Sequence, residues 1–104
     1  MNERHIVIDD LITIKIKNVI IQYNDEKYSI TLTAYIDNIS DEPIELYYYW
    51  TLDSNLDILE TTYFRYHIKK TKLNWYIIDE TLSNIMINEI NSDIVSNEFN
   101  AMNI

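Results

Sequence analysis

Lys27-Tyr28-Ser29-Ile30-Thr31-Leu32-Thr33-Ala34-Tyr35-Ile36-Asp37 is the stretch that decides the fold. Tyr28, Ile30, Leu32, Ala34 and Ile36 fill every second position, and Ser29, Thr31, Thr33, Tyr35 and Asp37 fill the positions between. Successive side chains of an extended chain point to opposite faces, so this pattern is a strand with one apolar and one polar face. On its N-terminal side, Leu11 to Tyr23 alternates Ile12, Ile14 and Ile16 with Thr13, Lys15 and Lys17. Asn18-Val19-Ile20-Ile21 interrupts that alternation and predicts a bulge. Asn24-Asp25-Glu26 predicts the turn between the two strands, with Asn and Asp supplying left-handed conformations in a chain that has no glycine.

On the other side, Asn38 to Pro43 reads as a polar loop, and Ile44 to Leu52 as a third strand. Ile44, Leu46, Tyr48, Trp50 and Leu52 share one of its faces, and Glu45, Tyr47, Tyr49 and Thr51 share the other. Asp53-Ser54-Asn55 turns the chain into a fourth strand, Ile58 to Lys69. There Phe64, Tyr66 and Ile68 are expected on one side and Tyr63, Arg65 and His67 on the opposite one. Lys70-Thr71-Lys72 then leads to a short fifth strand, Leu73 to Ile78. Beyond it the period changes: Leu82, Ile85, Met86, Ile90 and Ile94 recur at helical spacing, with Asp79 or Thr81 as the cap. The ends, residues 1–10 and 97–104, read as loosely ordered. Short connections between strands suit hairpins rather than parallel crossovers. The expected fold is therefore α+β: an antiparallel sheet of about five strands in meander order, with a C-terminal helix packed on one face. A small immunoglobulin-like sandwich is the alternative.

The chain has 104 residues, which suits a single domain, residues 1–104. Its 17 acidic and 8 basic residues give a net charge of −9, divided as −5 over residues 1–52 and −4 over 53–104, so the charge belongs to the whole body. Glycine and cysteine are absent and Pro43 is the only proline. That excludes glycine-rich phosphate loops, dinucleotide fingerprints, nucleophile elbows, thiol chemistry and cysteine zinc sites. The first ten residues hold one apolar run of three, too short for a secretory signal. A cytoplasmic protein is expected, in the host cytoplasm if phage-encoded, and Asn38-Ile39-Ser40 is read as a chance match to a glycosylation site.

Candidate chemistry is sparse. His5 and His67 show no ligand spacing with carboxylates, so neither a metal nor any other cofactor is expected. Asp9-Asp10, Asp25-Glu26, Asp41-Glu42 and Asp79-Glu80 are adjacent pairs, which on a strand diverge to opposite faces and make poor acid–base partners. Arg65, Lys69, Lys70 and Lys72 concentrate half of the positive charge in one hairpin, yet a −9 body repels phosphate, and lysines on an edge also prevent aggregation. Direct nucleic-acid binding is not expected.

Nine tyrosines and two tryptophans are the most informative feature. Strand pairing in sequence order would gather Tyr35, Tyr47, Tyr49 and Tyr63 on one face, either as core or as an exposed platform. Tyrosine supplies large contact area at low entropic cost and is enriched at interfaces. Asp41, Glu42, Glu45, Asp53 and Asp57 flank that platform and would steer a basic partner toward it.

The expectation is a non-catalytic acidic inhibitor that blocks a basic, nucleic-acid-handling protein by steric and electrostatic occlusion. In size, charge and composition the chain resembles nuclease immunity proteins and phage-encoded inhibitors, including anti-CRISPR proteins. Two alternatives come from other classes. One is a small cone-shaped enzyme or ligand-binding domain with a pocket lined by Trp50, Tyr66, Trp75 and His67. The other is an assembly module, of a phage or an oligomer, that uses an open sheet edge. A homodimer is compatible with the last and with the inhibitor.

Overall fold

A computed structural model describes residues 4–9, 12–38, 44–66 and 73–102. The chain forms strands β1 (Arg4–Asp9), β2 (Ile12–Asn24), β3 (Lys27–Asn38), β4 (Ile44–Asp53) and β5 (Ile58–Tyr66), then helix α1 (Trp75–Met102). The strands make one antiparallel sheet in the order β1-β2-β3-β4-β5. This is the α+β meander with a C-terminal helix expected from the sequence, and a single open sheet takes the place of the sandwich alternative. The chain divides into two compact units, Met1–Leu73 with the sheet and Asn74–Ile104 with the helix.

Within the sheet, the alternation of β3 and β4 translates directly into burial. Ile30, Leu32, Ala34 and Ile36 of β3 are buried, as are Ile44, Leu46, Tyr48, Trp50 and Leu52 of β4, together with Ile14 and Ile16 of β2. Full burial of one such side chain contributes about 1.5–3 kcal/mol. Their opposite face is polar and aromatic, and is here called the outward face.

The β2–β3 hairpin closes with Asn24 opposite Lys27 and a two-residue turn, Asp25 (φ 53°) and Glu26 (φ 63°). Two consecutive left-handed residues are what the right-handed twist of the flanking strands requires. Without glycine, a non-glycine residue occupies each position at a cost of roughly 1–2 kcal/mol. The same cost recurs at Leu56 (φ 67°) in the β4–β5 connection. There the Asp53 carboxylate organises the turn, accepting hydrogen bonds from the backbone N–H of Asn55 (2.9 Å) and of Asp57 (3.0 Å). Glu26→Gly and Leu56→Gly should each stabilise the protein by about 0.5–1 kcal/mol, whereas Asp53→Ala should cost about 1–2 kcal/mol. Urea midpoints read by circular dichroism check all three.

Six expectations are corrected. Residues 4–9, read as a loose end, form β1, paired with β2 from Arg4–Ile16 onward. Leu73 to Ile78 is not a strand, because the helix already begins at Trp75. Asn74, rather than Asp79 or Thr81, caps it: its side-chain oxygen accepts the Ile77 N–H at 3.3 Å and its carbonyl accepts the Ile78 N–H at 3.2 Å. Thr81 instead lies inside the helix and donates its hydroxyl to the Ile77 carbonyl at 2.8 Å. The helix also continues through Met102, past the expected fraying point at 97. Ile78, Leu82, Met86 and Ile90, each four residues apart, are buried positions of the helix among the described residues. The expected bulge is displaced: the β2–β3 register shifts between Ile16 and Asn18, so Lys17 is the extra residue. The last correction concerns β5 and bears on the outward face. The Asn38–Pro43 loop beyond Asn38, the glycosylation-like triplet beyond Asn38, and the basic segment 67–72 lie outside the described residues.

Candidate protein-docking face

Opposed residues of an antiparallel pair share a face, so the register lists the outward surface row by row. One row runs His5–Lys15–Tyr35–Glu45 across β1 to β4. The next runs Asn18–Thr33–Tyr47–Phe64, followed by Ile20–Thr31–Tyr49–Thr62 and Gln22–Ser29–Thr51–Glu60. Tyr47 (37% exposed), Tyr49 (40%) and Phe64 (57%) therefore form a continuous aromatic patch open to solvent. Light polar contacts hold the two tyrosines: the Tyr47 hydroxyl donates to Glu45 Oε2 at 3.4 Å, and that of Tyr49 to Ser29 Oγ at 3.3 Å.

Tyr35 belongs to the same face but has a different environment. The ammonium groups of Lys15 and Lys17 lie 5.5 Å and 5.3 Å from its ring centroid, a cation–π arrangement. The Lys15 Nζ is also 3.0 Å from Asp37 Oδ2, and this hydrogen-bonded ion pair holds the lysine pKa above its ordinary value. A raised lysine pKa means that the stabilisation is complete below the unfolded-state value and is lost as pH climbs through the folded-state one. Asp37→Asn should therefore lower stability at neutral pH, with the difference from the parent fading as pH climbs through the folded-state lysine value, which melting temperatures measured across pH will read. The outward face is thus graded, cationic at β2 and acidic toward Glu45 and Glu60.

Tyr63 does not join this patch. It pairs with Tyr48, their rings stacked with centroids 5.6 Å apart, and Tyr48 in turn stacks on Trp50 at 5.4 Å. The Arg65 guanidinium lies 4.1 Å from the Tyr63 centroid on the same side. The reason is a register shift: Thr51 pairs with Glu60 but Leu52 with Ile58, so Leu59 bulges out. Strand β5 hence presents Glu60, Thr62 and Phe64 outward, the reverse of the parity expected from its apolar residues. Phe64 takes the place assigned to Tyr63. The adjacent apolar pair Ile58-Leu59, which breaks alternation, was the available signal.

Of the acidic candidates, Glu45 lies beside Tyr47 on the outward face. Asp53 is committed to the hairpin, Asp57 is exposed at that hairpin's end, and Asp41 and Glu42 lie outside the described residues. His67, on which the pocket alternative turns, is also outside them. Among the described residues no group of three or more His, Asp or Glu could hold a metal ion, and no helix is long and apolar enough to cross a membrane. Comparison of the chain with known protein families, curated proteins and solved structures found no match.

Proposed function

We propose that this protein is a non-catalytic docking protein that inhibits a basic, nucleic-acid-handling partner by covering its cationic surface. The carrying observation is that Tyr47 and Tyr49, two of the four anchors named from the sequence, are solvent-facing on the sheet and not part of its core. Phe64 extends their contact area, and Glu45 and Glu60 place carboxylates on the same face. The footprint centres on β4 and β5, with Tyr35 at its cationic flank and Asp57 at its acidic end. A net charge of −9 draws a basic surface in and disfavours phosphate at short range, while desolvated aromatic rings supply the holding energy. Anti-CRISPR-like inhibitors and nuclease immunity proteins are the functional types this chemistry suits.

The test is a pull-down with the intact protein from bacterial lysate at low and high salt. Recovery of a basic nucleic-acid-processing protein, lost at high salt, is expected. Recovery of acidic proteins only, or a yield insensitive to salt, would refute the reading. Glu45→Lys should chiefly slow association, by about tenfold, and should flatten its salt dependence, as measured by stopped-flow or surface plasmon resonance.

A further inference from the structure

We propose that the outward face of β4 and β5 receives an arginine-rich protein segment, whose guanidinium groups stack on Tyr47, Tyr49 and Phe64 and bond to the carboxylates beside them. The inference rests on the docking reading and deepens it, by naming the side chain that the partner must present.

Charge narrows the receiving area. Every charged residue that β4 and β5 turn outward, among those described, is acidic: Glu45, Asp53 and Glu60. Aromatic ring faces carry negative charge density of their own, so the exposed Tyr47, Tyr49 and Phe64 add to the attraction for cations. The β2 side is the reverse. Lys15 and Lys17 already lie near the Tyr35 ring, 5.5 Å and 5.3 Å from its centroid, and Lys15 is also paired with Asp37. The chain thus supplies Tyr35 with cations of its own, and like charge directs an incoming cation toward β4 and β5.

Geometry selects guanidinium over ammonium. Glu45 Oε2 is 3.4 Å from the Tyr47 hydroxyl, so a carboxylate stands at the outer tip of an exposed ring. A planar guanidinium can lie on that ring and still aim N–H donors at the carboxylate, since its donors lie in its own plane. An ammonium group is a compact, strongly hydrated point charge and gains less from the ring. The chain's own pairs show the contrast: the Arg65 guanidinium is 4.1 Å from the Tyr63 centroid, closer than either lysine comes to Tyr35.

Spacing sets the number of arginines. Between Glu45 and Glu60 lie the rows Tyr47–Phe64 and Tyr49–Thr62. With rows ~6.8 Å apart, the two carboxylates are separated by roughly 20 Å along the strands, too far for one side chain to bridge. The face therefore takes at least two arginines, one toward each carboxylate, from a segment that crosses the rings between them. Six residues in extended conformation span about the same 20 Å.

The test titrates the intact protein with hexa-arginine and with hexa-lysine peptides at low salt, by calorimetry, and maps each by backbone amide NMR shifts. Hexa-arginine should bind about tenfold more tightly than hexa-lysine, with the shifts centred on β4 and β5. Tyr47→Thr combined with Tyr49→Thr keeps strand propensity and should remove most of that preference, with the circular dichroism spectrum unchanged. Glu45→Gln should weaken hexa-arginine more than hexa-lysine. Equal affinities with shifts on β4 and β5 would overturn the arginine assignment and leave the docking reading standing. A preference that survives the loss of both tyrosines, or shifts confined to other surfaces, would overturn the assignment as well. The docking reading fails on a different result, the salt-insensitive pull-down, so the two failures are told apart.

Discussion

Trp50→Ala should lower the unfolding free energy by about 3–5 kcal/mol, enough to leave a domain of this size partly or wholly unfolded at 37 °C. Trp50 has no exposed surface, stands in the middle of β4 opposite Ile30, and stacks on Tyr48 at 5.4 Å. Its removal leaves a cavity bordered by side chains fixed to a sheet, which limits collapse around the void. The indole also carries a burden of its own, since its Nε1–H is buried and has no hydrogen-bond partner among the described residues. An unsatisfied buried donor costs about 1–3 kcal/mol, so Trp50→Phe discards that penalty along with part of the packing. The phenylalanine variant should lie within about 1.5 kcal/mol of the parent. Urea unfolding of both variants, followed at 222 nm, measures the contrast. Equal large losses would mean that ring volume alone matters and that the buried N–H is satisfied.

The second large effect falls on binding, not folding. Tyr47→Ala combined with Tyr49→Ala should abolish recovery of the basic partner, at about 2 kcal/mol or more for each anchor. The same double variant should lose only about 1 kcal/mol of stability per residue, because both rings are solvent-facing and give up only strand propensity and cross-strand contact. Threonine at both positions restores strand propensity without the ring, and should recover stability but not binding. A double variant that keeps its partner refutes the platform. One that unfolds would show instead that these tyrosines support the fold. The two experiments are complementary, since Trp50 and Tyr49 are sequence neighbours on opposite faces of one strand.

Much of this architecture is legible in the residues because it is local. From Ile30 onward in β3, and along β4, the alternation of apolar and polar side chains maps onto buried and outward positions, as Ile30, Leu32, Tyr48 and Trp50 show. The platform residues Tyr35, Tyr47 and Tyr49 follow from the same period. Strand β5 is different. Its threonines and aromatics are acceptable on either face, so the alternation carries no sign, and one bulged residue at Leu59 inverts the facing of everything after it. Leu73 to Ile78 is ambiguous for a related reason. A short apolar run fits a strand or a first helical turn equally, and the Asn74 cap tips it to helix.

By itself, then, the sequence determined the strand-rich meander, the helical segment from Leu82 onward, the lack of glycine- or cysteine-dependent chemistry, the acidic charge, and the placing of Tyr35, Tyr47 and Tyr49 on one face of the sheet. These depend on side-chain period, composition and charge, which no distant contact can alter. The tertiary structure decided the recruitment of residues 4–9 as an edge strand, the exchange of Tyr63 for Phe64 on the outward face, and the placement of the bulges at Lys17 and Leu59. Each of those is a matter of register between strands. Register is a long-range property, fixed by which neighbouring strand supplies the hydrogen bonds and where one residue is left over.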